Sequence, residues 1–131
     1  MARRLAPKRV YIAFRYEERT LKHCLKGQLR SRNSSARISD FSLKERAATK
    51  SWKKKAEDRI RQASQVVVVA GPTAHNSRGV KAEVRIARRL NKPICQIRGT
   101  TKKRCPRVPG AGRYYRWSHA NLGKVFGRGT M

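Results

Sequence analysis

The run Val66-Val67-Val68-Val69-Ala70, closed by Gly71-Pro72, constrains this chain more than any other feature. β-Branched side chains fit a pleated strand better than a helix. An unbroken apolar run leaves no face for water, so the strand it forms needs cover on both sides, which a parallel sheet clothed by helices provides. Gly71-Pro72 ends the strand, because proline cannot extend the ladder.

The remaining segments fall into place around that strand. Residues 10–14 (VYIAF) read as a buried first strand ending in the polar loop Arg15-Tyr16-Glu17-Glu18. From Thr20, the positions Leu21, Cys24, Leu25 and Leu29 have the spacing of an amphipathic helix with Thr20 as N-cap. After a loop at residues 31–35, residues 36–38 read as a very short second strand running into Ser39-Asp40-Phe41-Ser42. Trp52, Ala56, Ile60 and Ala63 mark a helix over residues 51–62. Residues 79–90 read as a further helix stopped by Asn91-Lys92-Pro93, and residues 94–97 as another strand.

This β-α-β-α-β-α-β order predicts an α/β fold with a central parallel sheet of four or five strands and right-handed crossovers. The loops after Phe14, near Asp40 and after Ala70 are expected to share the rim at the carboxyl ends of the strands, where such sheets bind ligands. The 131 residues suffice for a single domain: an α/β core over 10–99, a basic loop over 100–113, and a C-terminal packed element over 114–127 with a short helix from about Ser118.

Composition adds a heavily charged coat. Thirty-four Lys and Arg stand against seven acids, a formal net charge of +27, while 38% hydrophobic residues leave enough for a small core. Such a balance is typical of proteins that meet polyanions, so non-specific nucleic-acid binding is expected from charge alone. The cations are spread over every segment, without a helix-turn-helix, zinc finger or RNA-reading aromatic motif. Cys24, Cys95 and Cys105 are odd in number and far apart, so neither a disulfide framework nor a metal site is expected. No apolar signal region follows MARRLAPKRV and no stretch approaches the roughly 18 apolar residues of a membrane span, so the expectation is a cytoplasmic protein without a membrane partner.

One acid stands out. On a helical wheel of residues 79–90, Val80, Val84, Ile86, Ala87 and Leu90 share an arc, Lys81, Arg85, Arg88 and Arg89 lie opposite, and Glu83 falls inside the apolar arc. A carboxylate there must be paired, hydrogen-bonded or open to a cleft. Either it pairs with an arginine at the helix edge, or it serves a site. The preceding loop, Gly71 to Ser77, offers Thr73, His75 and Asn76 for polar recognition of sugar or phosphate at a helix N-terminus; equally, Gly71-Pro72 turns the chain and Ser77 caps the helix. No Walker loop or Gly-x-Gly-x-x-Gly motif is present.

Taken together, residues 10–17 (VYIAFRYE), 38–42 (ISDFS), the run 52–60, residues 66–75 (VVVVAGPTAH), Gly79-Val80-Lys81-Ala82-Glu83, Lys92-Pro93, Cys105-Pro106 and residues 115–122 (YRWSHANL) closely resemble the short prokaryotic TIR-like proteins, among them the Thoeris TIR-like group of antiphage defence. The resemblance implies a TIR/flavodoxin-like three-layer fold and, in catalytic members, cleavage of the nicotinamide-ribose bond of NAD, giving ADP-ribose or a cyclic or conjugated derivative. It places the catalytic glutamate at Glu83 and the substrate-side positions at Phe14, Arg15, Tyr16, Asp40 and Ser42, with NAD as substrate and no metal. It also implies self-association through TIR surfaces and a downstream effector protein. An oxocarbenium-like ribose suits a neighbouring carboxylate. Phe14 or Tyr16 suits ring stacking, and Arg15 a diphosphate; against these, either aromatic suits the core, and Asp40-Phe41-Ser42 a simple turn. The competing functions are a non-catalytic TIR adaptor and a basic nucleic-acid-binding domain on an α/β scaffold.

Overall fold

A computed structural model describes residues 8–15, 18, 20–21, 38–40 and 50–116, the side chains of 8, 9, 38–40 and 50 excepted. Its elements are β1 (Lys8–Ala13), β2 (Ile38–Asp40), α1 (Lys50–Gln62), β3 (Gln65–Ala70), α2 (Arg78–Arg89), β4 (Ile94–Arg98) and β5 (Arg113–Tyr115), with a 3-10 turn at Ala74–Asn76. The five strands form one parallel sheet in the order β2-β1-β3-β4-β5, with β3 at its centre.

The strand order explains the layering. The connections β2 to β3, β3 to β4 and β4 to β5 all step toward the same edge, and right-handed crossovers that step the same way lie on the same face. Accordingly Trp52, Ala56 and Ile60 of α1, Val80, Val84 and Ala87 of α2, and Val108 and Ala111 of the β4-β5 connection share one core with Tyr11, Ala13, Val66 and Val68. The step from β1 to β2 runs the other way. On the opposite face Leu21 packs with Phe14 against Val10, Ile12, Val67, Val69 and Ile97. Each of the four β3 valines is at most 1% exposed, a burial worth about 1.5–3 kcal/mol apiece.

Local chemistry fixes the ends of α2. Ser77 is the N-cap, its Oγ accepting from the Val80 amide at 3.2 Å. At the other end Asn91 takes a positive φ of 56°, and the amides of Asn91 and Lys92 return to the carbonyls of Arg88 and Ala87. This is a Schellman ending with asparagine in the left-handed position usually held by glycine.

Two expectations are corrected. The second strand is Ile38–Asp40 rather than 36–38, so Asp40 is its last residue instead of a loop residue: it stands level with Val10, where pairing with β1 fixes the register. The 100–113 loop and 114–127 element also divide differently, because Arg113–Tyr115 adds a fifth strand along β4, too short for periodicity to reveal. The helix expected from Thr20 is described only at Thr20 and Leu21, and the helix expected from Ser118 lies outside the described residues.

Buried Gln96 ties that last strand to the sheet. Its amide nitrogen donates to the carbonyls of Val108 (3.1 Å) and Gly112 (3.0 Å), and its carbonyl accepts from the Val108 amide at 2.7 Å. Gly112 makes the close approach possible: its φ is +80°, and a Cβ there would lie 2.3 Å from the Ile94 carbonyl oxygen. Replacing Gln96 with leucine keeps the volume but strands three backbone groups, so Gln96→Leu should lower unfolding free energy by about 2–4 kcal/mol. A denaturant midpoint shifted down at unchanged slope checks it; an unchanged midpoint would show that the tie carries no stability.

Candidate functional site

Strand order reverses about β1: the chain leaves β1 toward β2 and continues beyond β3 toward β4. In sheets of this order the crevice between the carboxyl ends of β1 and β3 is the usual ligand position. The polar side chains of the two loops converge there. The Thr73 hydroxyl accepts from an Arg15 guanidinium nitrogen at 2.6 Å and donates to Glu18 Oε2 at 2.7 Å, and the Thr73 amide donates to the same oxygen at 2.8 Å. The second Glu18 oxygen is shielded over Gly71, where an added Cβ would meet it at 2.4 Å, and it has no hydrogen-bond partner among the described residues. A side chain at position 71 would push this carboxylate off the rim.

His75 lies in the 3-10 turn that leads into α2. Its Nδ1 is shielded from solvent and unpartnered among the described residues. A sequestered nitrogen with nothing to bond is costly to maintain unless something else completes it.

Glu83 sits below this rim, five residues beyond Arg78 at the start of α2 and therefore about 8 Å along the helix from it. It is 5% exposed and hydrogen-bonded by the hydroxyl of Tyr11, a fully buried β1 residue. No cation meets it among the described residues. Arg89 turns out to Glu57 at 2.5 Å, and Arg88 donates to the Gly110 carbonyl. Among the described residues the arginine pairing weighed from sequence is thus absent: α2 packs on the sheet and sets the carboxyl against Tyr11 of β1. Burial pushes the Glu83 carboxyl up to about 8, with the Tyr11 hydrogen bond pulling partly the other way.

The structure brings together only some of the expected site residues. Arg15 and His75 belong to the β1-β3 rim. Phe14 continues the strand alternation onto the sheet face opposite Glu83, packing beside Val10 and Ile12. Tyr16 and Ser42 lie outside the described residues, as does the Asp40 side chain. Among the described residues no three His, Cys, Asp or Glu side chains gather as metal ligands, and no helix is long and apolar enough to cross a membrane.

The family model for the TIR-like domain of the Thoeris protein ThsB matches residues 11–104, from the first strand through the fourth and into the loop beyond. The chain belongs to the ThsB TIR-like family. No curated protein gives a significant match. Membership makes this a defence-related protein of TIR type, with the α/β fold of that class.

Within this ThsB TIR-like domain, sequence reasoning missed Tyr11 and Glu18. Tyr11 stood out only as an apolar strand residue, although a tyrosine buried on both sides needs a partner for its hydroxyl. Glu18 was simply part of a polar loop.

The buried carboxyl should make stability depend on pH. Its folded value near 8 lies above the ordinary 4.5, so the folded state holds a proton that the unfolded state has released. The stability this contributes is complete below about 4.5 and is lost as pH rises toward 8. Between about pH 5.5 and 8.5 the loss should be about 3 kcal/mol, and Glu83→Gln, which cannot ionise, should remove that component. Denaturant midpoints of both proteins at the two pH values test this; parallel losses would refute it.

Proposed function

We propose that this protein cleaves the nicotinamide-ribose bond of NAD, with Glu83 as catalytic carboxylate, and that the product serves as a defence signal. The observation that carries the reading is Glu83 itself: among the described residues it is the only buried acid, and it lies beneath the β1-β3 crevice with a tyrosine for partner.

The chemistry needs little machinery. As the bond from ribose C1′ to the positively charged pyridinium nitrogen breaks, its electron pair leaves with neutral nicotinamide and positive charge develops on the ribose. A carboxylate beside that ring stabilises the charge. Water then attacks C1′ and releases a proton to give ADP-ribose; attack by a group of the substrate itself gives a cyclic product. Tyr11 positions the carboxyl. Arg15 on the rim suits the diphosphate, and the spare Nδ1 of His75 suits a sugar hydroxyl or phosphate.

A carboxyl held near 8 is largely protonated at neutral pH. The approaching pyridinium cation favours ionisation, so substrate binding and proton loss are coupled. In a low-dielectric site the resulting anion acts on the developing charge with little solvent to screen it.

One observation favours the other reading, a non-catalytic TIR adaptor: with 5% exposure and a satisfied hydrogen bond, Glu83 also fits a structural role. Nicotinamide release separates the two. Glu83→Gln should lower it at least about a hundredfold while thermal unfolding stays cooperative. For wild type, kcat/KM should rise with pH through about 8, and Tyr11→Phe, which removes the bond holding the value down, should move that midpoint higher. Equal release by wild type and Glu83→Gln would overturn the enzymatic reading; collapse of the Glu83→Gln fold would favour the structural one.

A further inference from the structure

We infer that the groove between α1 and α2 is a docking surface for the phosphate backbone of double-stranded nucleic acid. It is an open groove of about 780 Å³ on the outer side of the helices whose inner sides cover the sheet. Lys53, Lys54 and Arg61 of α1 meet Arg85, Arg88 and Arg89 of α2 around it, against two acids, Glu57 and Asp58.

The cations are not equally committed. Glu57 holds Arg61 at 2.8 Å and Arg89 at 2.5 Å, and both bonds keep its carboxyl below the usual range. Arg88 spends one N–H on the Gly110 carbonyl. Lys53, Lys54 and Arg85 are exposed and meet no carboxylate among the described residues. A merely solvated face explains exposed cations on one helix; it does not explain two helices turning like charges toward a shared groove, where they repel.

The lining selects the partner. Its floor is Ala82 and Ile86, each 6% exposed, and no aromatic side chain among the described residues lines it. It therefore lacks a stacking platform for unpaired bases, the aromatic anchor of a protein interface and the apolar wedge of a membrane-surface helix. Flexible cationic heads over a shallow floor suit phosphates. Residues 53 to 61 span about 12 Å of helix, enough to follow three or four base pairs, so contacts should be few and insensitive to sequence.

Fluorescence anisotropy of the full chain with a labelled mixed-sequence duplex, titrated between about 50 and 200 mM salt, tests the assignment. The triple variant Lys53→Glu, Lys54→Glu, Arg85→Glu is compared with Lys102→Glu, Lys103→Glu, Arg104→Glu, which makes the same charge change on the exposed β4-β5 connection. The groove variant should bind at least about tenfold more weakly, its log-log salt slope shallower by about three, and the connection variant should change less than about threefold. Glu57→Gln, which frees Arg89 and leaves Arg61 only its 3.8 Å pair with Asp58, should tighten binding. Equal losses in the two triple variants would mean that overall charge, not the groove, attracts the duplex. Tighter binding to single strands or to phosphatidylserine vesicles, or sequence-selective binding that survives high salt, would also overturn the assignment.

Discussion

The structure depends on the need to bury β3 on both faces. Val66 and Val68 require one apolar layer, Val67 and Val69 a second, and a chain of this length can supply both only by crossing the sheet repeatedly with the same hand. Once β3 is central, the direction of each crossing decides which layer the connection joins. Three crossings toward β5 put α1, α2 and the Gln96-bound connection together; the single opposite crossing leaves the β1-β3 crevice where the loops diverge. Arg15, Glu18 and Thr73 meet at that crevice because the topology brings their loops to one rim.

The same layering accounts for the state of Glu83. An α2 packed closely enough to bury Val80, Ala87 and Ile86 must also bury Glu83, which lies between Ala87 and Ile86 on the wheel. A lysine there could extend its stem to the surface; a glutamate is too short. It finds the Tyr11 hydroxyl instead, and this single neutral partner does not repay the lost hydration of an anion. The carboxyl consequently keeps its proton into neutral pH.

Much of this was legible in sequence. The valine run, the phase of both described helices, the Ser77 cap and the presence of Glu83 in the apolar arc are all local, since they depend on residues within a few positions of one another. Less legible were the pairings. Tyr11 and Glu83 lie 72 residues apart, Arg15 and Thr73 58 apart, and no spacing rule announces either. The second strand shifted by two residues because its register answers to β1 rather than to its own side chains. Phe14 illustrates the period-2 rule: adjacency to the rim in sequence does not decide the face, and two residues beyond Ile12 the alternation returns it to the far side of the sheet from Glu83.

The net charge of +27 and the buried acid Glu83 pose opposite electrostatic demands, and α2 meets both with its two faces. Arg85, Arg88 and Arg89 project outward into solvent, and Glu83 projects inward to Tyr11. Had the outer cations reached Glu83 through the low-dielectric interior, they would have held it ionised. The forces on Glu83 are instead burial and one hydrogen bond, with no arginine among them. Water on the outer face screens that charge before it crosses the helix. The protein can therefore be strongly cationic outside without dictating the protonation of its interior acid, so the polyanion proposed for one face of α2 and the substrate cation proposed for the other need not compete for the same field.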